Sequence, residues 1–160
     1  PWYYETHMLG FNYRMSDIHA ALGLSQLKRL DKFVKKRRNL VDLYRKEFSN
    51  DKRFSLLEEK PYSKAAFHLC PLLINFDKIS LDKKQLFEKL KSSGLHLQVH
   101  YIPVHLQPLY KNIGFTKGNY PKSEQYYKKT ISLPLYPNLC PQDIMRISNT
   151  IKNILSEKNE

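Results

Sequence analysis

The sequence is short of cysteine, of acidic residues and of long apolar runs. Its two cysteines, Cys70 and Cys140, form no close-spaced metal pattern and do not demand a disulfide. No apolar run approaches the length that a membrane-spanning helix needs. We therefore expect a reducing, cytoplasmic setting without a membrane partner.

The shortage of acidic residues leaves a strong positive charge. Lys and Arg number 27 against 15 Asp and Glu, for a formal net charge of +12. This excess favours anionic partners such as nucleic acid, anionic lipid or phosphorylated small molecules. Six cations fall on one face of the first predicted helix: Lys28, Arg29, Lys32, Lys35, Lys36 and Arg38. Because no aromatic residues alternate with them, a solvated helix face is the more ordinary interpretation, with an anionic groove as the alternative.

Several short catalytic motifs are missing. The chain has no nucleophile elbow, no phosphate-binding glycine loop and no zinc motif. Ser132 has no adjacent base, so nucleophilic catalysis is unsupported. The spacing of His100 and His105 is not that of a metal-binding motif, and no carboxylate lies near them in the sequence. Both points argue against a metal site.

A polar helix entry near the start of the chain is the first candidate site. Gly10 and the triplet Asn12, Tyr13 and Arg14 precede Ser16, a good N-cap residue, with Asp17 in the first turn. Donors at such a junction suit an anion, although an ordinary helix entry has the same appearance. Apolar residues then recur every three or four positions as far as Phe48, which predicts one long helix.

The remaining pattern predicts an α+β fold, a small α/β layer in which helices pack on a modest mixed sheet. Short strands are predicted at 54–57, 67–76, 95–102 and 131–135. Pro71 indicates an edge position or a bulge for the second of these strands. Helices are predicted after Ser80, ending at Gly94, and after Pro121 and Pro141. Residues 104–118 form a long connection, and residues 156–160 a frayed polar tail.

The second candidate site is the cluster of His100, Tyr101 and His105, the densest group of titratable side chains. Alternation along the predicted strand places His100 and Tyr101 on opposite faces, and His105 follows in the long connection. Each histidine taken alone has an ordinary alternative as a surface or core-edge residue.

These segments, in this order, resemble the sugar-nucleotide aminotransferases of the DegT/DnrJ/EryC1/StrS family. The matching stretches are residues 10–18, 20–27, 98–103 and 131–135. The resemblance implies an aspartate aminotransferase-type fold (PLP fold type I) with pyridoxal 5'-phosphate as cofactor. It also implies a homodimer that uses glutamate and a UDP-sugar and has no nucleic acid partner.

The resemblance also implies roles for individual residues. Asn12, with Arg14 nearby, would bind the cofactor phosphate of the partner subunit, and His100, Tyr101 and His105 would bind the sugar nucleotide. We expect this chain to be the C-terminal portion, with the cofactor-binding lysine upstream of Pro1 and no catalytic residue in the chain itself. Residues 1–30 would end the cofactor domain and start a bridging helix, and residues 31–155 would form the small domain.

The sequence of residues 97–101 is most similar to that of family members that aminate a 4-keto-6-deoxy UDP-sugar for cell-surface or flagellar glycans. His105 and Leu106 depart from that pattern, which leaves the identity of the sugar open. Relatives in which histidine replaces the cofactor-binding lysine are dehydratases. A basic nucleic-acid-binding module and a dimerisation scaffold are the alternatives outside the family.

Overall fold

The structure, a computed structural model, describes residues 2–156. These residues form six α-helices and three β-strands, with 3-10 turns at Phe76–Lys78 and Val104–Leu106. In chain order the elements are α1 (Asp17–Leu27), α2 (Leu30–Phe48), β1 (Phe54–Leu56), β2 (Cys70–Ile74), α3 (Lys83–Ser92), α4 (Pro108–Asn112), α5 (Pro121–Lys129), β3 (Thr130–Leu133) and α6 (Pro141–Ile154). The chain divides between Phe33 and Val34 into two compact units. No helix in the described range is long and apolar enough to cross a membrane.

The first unit contains α1 and buries none of the side chains described in it. The predicted N-cap is confirmed, because the Ser16 Oγ accepts a hydrogen bond from the His19 backbone N–H at 3.4 Å. The same Oγ lies 2.8 Å from His19 Nδ1. Large apolar side chains such as Trp2, Leu9 and Phe11 are exposed.

The prediction of one continuous helix to Phe48 is wrong. The chain turns at Lys28 and Arg29, where the Arg29 N–H bonds the Gln26 carbonyl at 2.9 Å, an i to i−3 bond that tightens the backbone. The apolar residues of α1 are spread around its surface, whereas those of α2 form one stripe. The apolar spacing of three and four residues continues through this turn in the sequence, so it does not reveal the break between α1 and α2.

The second unit is built on the apolar stripe of α2. Leu40, Val41, Tyr44 and Phe48 are buried, as the helical spacing predicted. The Tyr44 hydroxyl donates to the Pro134 carbonyl at 3.0 Å, which satisfies its one polar atom inside the core. Burial raises the pKa of Tyr44 far above its ordinary value, so the hydroxyl keeps its proton.

The sheet has the order β1-β2-β3 and is antiparallel throughout the described residues, so the predicted mixed character is wrong. Pro71 lies in the central strand rather than at an edge. Pro71 pairs with Ser132 of β3. The Ser132 N–H points away from β2, because it donates to the Gln98 carbonyl. In an antiparallel pair of this kind the Pro71 nitrogen also points away from its partner, and it therefore faces β1. There β1 has already ended at Leu56. The missing N–H therefore leaves no gap in the ladder.

The predicted strand at residues 95–102 is not present in the structure. A single bridge joins Gln98 to Ser132, with the Ser132 N–H donating to the Gln98 carbonyl at 2.8 Å. Leu95 is buried and Leu97 packs against the core, so the alternation reflects partial burial without a ladder. Alternating burial in this segment therefore arises without strand pairing.

The predicted helix after Ser80 is confirmed, but it begins later. Asp82 caps α3 by accepting the Gln85 N–H at 2.8 Å, and Gln85 Oε1 accepts the Asp82 N–H at 2.8 Å. This reciprocal pair is a capping box, which a serine two residues earlier cannot supply. The predicted end at Gly94 is confirmed by its φ of +74°, and the Leu95 N–H closes the turn on Leu90.

The predicted helices after Pro121 and Pro141 are confirmed as α5 and α6. Ile144, Ile147 and Ile151 form the buried face of α6. The connection at residues 104–118 contains a 3-10 turn and α4. Ser156, predicted to fray, accepts a hydrogen bond from Arg53 at 3.1 Å, whereas residues 157–160 of that tail lie outside the described residues.

One ion pair ties the loop after β1 to α2. Arg38 donates to both carboxylate oxygens of Glu59, at 3.0 and 2.7 Å, and to the Ala65 carbonyl at 2.6 Å. The Ala65 N–H in turn donates to Glu59. These contacts, Arg38 first, lower the pKa of Glu59 to about 2.

Replacing Glu59 by Gln should remove a pH-dependent contribution to stability. A carboxyl group whose pKa falls on folding from 4.5 to about 2 stabilises the fold fully above pH 4.5 and loses that effect as the pH falls toward 2. Denaturant unfolding at several pH values should therefore show a Glu59→Gln deficit at pH 6 that shrinks through this window. Glu88→Gln, at a more exposed carboxylate, is the control. A deficit that stays constant with pH would contradict the assignment.

Candidate functional site

The first candidate segment, residues 12–14, precedes α1 and is exposed. Within the described chain, neither the Asn12 amide nor the Arg14 guanidinium makes a hydrogen bond or an ion pair. Their neighbours Phe11 and Tyr13 face each other with ring centroids 5.5 Å apart. An amide donor and a guanidinium that the fold does not use suit a phosphate dianion, so these residues fit the phosphate of pyridoxal phosphate.

The second candidate segment lies in the second unit and is positioned by β3. The Ser132 Oγ is 2.7 Å from His100 Nδ1, and the Ser132 N–H holds Gln98. All four residues of β3 are buried, so this anchor is part of the core. His100, half-buried, borders a cavity of about 150 Å³ together with His68, His96 and Ser132. Its Nε2 makes no hydrogen bond within residues 2–156, which leaves that atom for a ligand.

Tyr101 lies beside His100 rather than on the opposite face. The two ring centroids are 4.5 Å apart with the planes nearly perpendicular. The prediction of opposite faces is wrong because it assumed regular strand alternation, which this segment does not have. Tyr101 is 70% exposed, and its hydroxyl makes no hydrogen bond in the described structure. The two residues therefore offer adjacent polar groups to solvent.

His105 is held inside the fold by Glu124, a residue distant from it in the sequence. It is only 6% exposed, and its Nε2 lies 2.8 Å from Glu124 Oε1 on α5. Glu124 also accepts the Gly118 N–H at 2.7 Å. The contact with His105, followed by that with Gly118, lowers the pKa of Glu124, so the carboxyl is ionised at neutral pH.

One sequence signal could have identified Glu124. It is the only acidic residue between positions 89 and 142, in a chain with a formal charge of +12. A lone carboxylate among many cations and near a histidine is a natural partner for that histidine. The sequence separation of 19 residues hid the contact, since no local periodicity connects a 3-10 turn to a later helix.

Within residues 2–156 the remaining titratable groups form no metal site, and the buried thiol is unreactive. No group of three or more His, Cys, Asp and Glu in residues 2–156 is arranged to hold a metal ion. Burial raises the pKa of the Cys70 thiol to about 12, which keeps it protonated and unreactive. Two cations of the predicted basic face stabilise the fold instead, since Arg38 binds Glu59 and the Lys36 ammonium donates to the Pro137 carbonyl at 2.7 Å.

Comparison with known proteins gives consistent matches. Over 156 residues the chain is 34% identical to a UDP-4-amino-4,6-dideoxy-N-acetyl-beta-L-altrosamine transaminase of Campylobacter jejuni, covering 98% of this chain and 41% of that protein. The chain thus spans about two fifths of the length of this curated relative.

Solved structures give the same answer for the fold. Helicobacter pylori PseC, an aminotransferase involved in the biosynthesis of pseudoaminic acid, matches with a TM-score of 0.84 and 30% identity over 94% of this chain and 40% of its own. Spr1654 from Streptococcus pneumoniae in its PLP form matches with a TM-score of 0.83 and 29% identity over 96% and 39%. The expected aspartate aminotransferase-type architecture is confirmed.

The profile of one family covers nearly all of the sequence, from residue 2 to residue 152. This chain belongs to the DegT/DnrJ/EryC1/StrS aminotransferase family.

Proposed function

We propose that this chain is the C-terminal part of a pyridoxal-phosphate-dependent aminotransferase that acts on a sugar nucleotide. The observation that supports the proposal is that the Asn12 amide and the Arg14 guanidinium, which suit a phosphate group, make no hydrogen bond or ion pair within residues 2–156 of a member of this family. In the proposed protein, residues 1–30 end the cofactor domain and residues 31–155 form the small domain. The lysine that holds the cofactor lies in the part upstream of Pro1.

The cofactor-facing residues act by binding. Pyridoxal phosphate, when bound, supplies the electron sink through which an amino group moves from a donor to a keto group. The Asn12 amide N–H would donate to a phosphate oxygen of the cofactor in the partner subunit. The Arg14 guanidinium would balance the phosphate charge. This arrangement makes the proposed enzyme a homodimer.

The substrate-facing residues are His100, Tyr101 and His105. The Nε2 of His100 and the hydroxyl of Tyr101 are free in the described structure and can bind hydroxyl or phosphate oxygens of a sugar nucleotide. His105 contributes from the buried side of the same segment. The relatives in Campylobacter jejuni and Helicobacter pylori support a 4-keto-6-deoxy UDP-sugar as substrate and a glycan pathway such as that of pseudaminic acid.

Glutamate is the proposed amino donor and the cytoplasm the proposed compartment. Both cysteines of the chain are free thiols, which suits a reducing environment. A nucleic-acid function has less support, because Lys36 and Arg38 of the basic face are occupied by contacts within the fold.

Replacing Asn12 by Ala in the full-length protein should weaken retention of pyridoxal phosphate. Loss of one hydrogen bond to a charged group should lower the affinity by about tenfold or more. Spectrophotometric titration of the apoprotein with the cofactor measures this. Asn149→Ala, at another exposed asparagine, is the control and should bind normally. Equal affinities of the two variants would show that Asn12 is only a helix-entry residue.

Replacing Tyr101 by Phe should lower kcat/KM for the UDP-sugar by about tenfold, since the change removes one hydrogen bond to a bound ligand. The hydroxyl makes no hydrogen bond within residues 2–156, so Tm and cofactor retention should stay unchanged. Tyr62→Phe is the control, because Tyr62 is 89% exposed and lies far from the segment in sequence. Unchanged steady-state kinetics for Tyr101→Phe would remove this residue from the proposed site.

The isolated 160-residue chain should show no transaminase activity. We expect neither turnover of glutamate with the keto-sugar nor a new absorbance band when pyridoxal phosphate is added. The physical reason is that this chain supplies side chains that bind the cofactor phosphate and the substrate, but not the lysine that holds the cofactor. Turnover by the isolated chain would contradict the proposed division of the site.

A further inference from the structure

A small cavity beside β3 is lined by three of the six histidines of the chain. His68, His96 and His100 border about 150 Å³ of space, together with Gln98 and Ser132. This volume lies below the range of about 300 to 1,000 Å³ that is typical of sites for drug-sized ligands. The cavity therefore has room for a small ligand rather than for a nucleotide.

The strand β3 holds both walls of this cavity in place. On one side, β2 pairs with β3, and His68 lies two residues before β2 begins. On the other side, the Ser132 N–H donates to the Gln98 carbonyl at 2.8 Å. His96 and His100 lie two residues before and after Gln98. The three imidazoles thus come from two segments that are both hydrogen-bonded to one buried strand.

The fold uses few of the polar groups that border the cavity. His68 and His96 are exposed and make no hydrogen bond or ion pair within residues 2–156. His100 uses only its Nδ1, which lies 2.7 Å from the Ser132 Oγ. An imidazole carries at least one N–H donor whether or not it is charged. Three rings with spare nitrogens therefore border one small space.

The charge of the surroundings favours an anion in this space. The lining contains no acidic side chain, and the whole chain has a formal net charge of +12. A metal ion is the other common ligand of clustered imidazoles, but in the described part of the chain no group of three His, Cys, Asp or Glu is arranged to hold one. Hydrogen bonds from imidazole to a carboxylate are charge-assisted and therefore strong. A small carboxylate is the ligand that this cavity fits.

We propose that His68, His96 and His100 bind a carboxylate group of the amino-acid donor. The inference rests on the proposed function for the identity of this carboxylate as that of an amino donor. In an aminotransferase the donor and the keto-sugar reach the same reacting centre in turn. The two substrates therefore share contacts near that centre. His100 is such a shared residue, whereas His68 and His96 serve the donor alone.

Calorimetric titration of the full-length protein with glutarate tests the site without any reaction, because this dicarboxylate has no amino or keto group. His68→Ala and His96→Ala should each weaken glutarate binding by about tenfold, since each removes one hydrogen bond to a charged group. His96→Gln keeps an N–H donor and should bind within about threefold of the unmodified protein. His96→Glu places a negative charge at the cavity and should abolish measurable binding.

The variant Gln142→Glu is the matched control, because it adds the same charge at an exposed position of α6 that does not line the cavity. It should bind glutarate normally. Equal glutarate affinities of His96→Glu and Gln142→Glu would overturn the inference, as would a failure of the unmodified protein to bind glutarate. Inorganic phosphate that binds as tightly as glutarate would also overturn it, because the cavity would then be a general anion site.

Steady-state kinetics separate this inference from the proposed function. If both are correct, His96→Glu should raise the KM for glutamate by about tenfold or more and leave the KM for the UDP-sugar unchanged. If the protein aminates the UDP-sugar and His96→Glu leaves the KM for glutamate unchanged, the reaction stands and the carboxylate site is wrong. If glutarate binding depends on His68 and His96 but no amino group is transferred, the proposed reaction fails and the carboxylate site stands.

Discussion

Ser132 joins the hydrophobic core to the candidate substrate segment, and the position of that segment depends on it. Its N–H holds the Gln98 carbonyl at 2.8 Å and its Oγ holds His100 at 2.7 Å. The serine itself belongs to β3, which is fully buried and paired with β2. A polar side chain at such a core position is stable because its hydrogen-bonding groups have partners. The same contacts place His100 in a defined position while leaving its other nitrogen available.

The second anchor comes from the same part of the chain. Glu124 on α5 holds His105, and α5 leads directly into β3 without an intervening loop. One continuous stretch, residues 121–133, therefore fixes both ends of the segment from Gln98 to His105. This arrangement gives an irregular segment the rigidity that a binding site needs, although the segment forms no strand or long helix. It also explains why some polar residues there, such as Ser132 and His105, are buried and hydrogen-bonded within the fold, whereas Tyr101 is exposed to solvent.

Local chemistry in the sequence predicted the helices more reliably than the sheet. The Ser16 cap, the Gly94 terminus, and the proline starts of α5 and α6 follow from contacts within a few residues. Strand pairing and the Glu124 contact depend on residues far apart in the chain, which a single sequence does not reveal. The alternation at 95–102 was real but came from partial burial. The exposed Asn12, Arg14 and Tyr101 could be named from motif resemblance, whereas their roles require a ligand and remain proposals.

Pro71 limits how the sheet can grow. Its nitrogen faces the position where a longer β1 would continue through Leu57, and it has no hydrogen to donate to that residue's carbonyl. Any extension of β1 would thus leave a carbonyl group unpaired, and the chain turns away into the loop that Arg38 and Glu59 hold. Because Pro71 ends the pairing between β1 and β2 at a fixed residue, the loop that follows β1 can change in length and sequence without shifting the register of the sheet. Related proteins could therefore vary their surface here while β3, and the residues that it positions, stay in place.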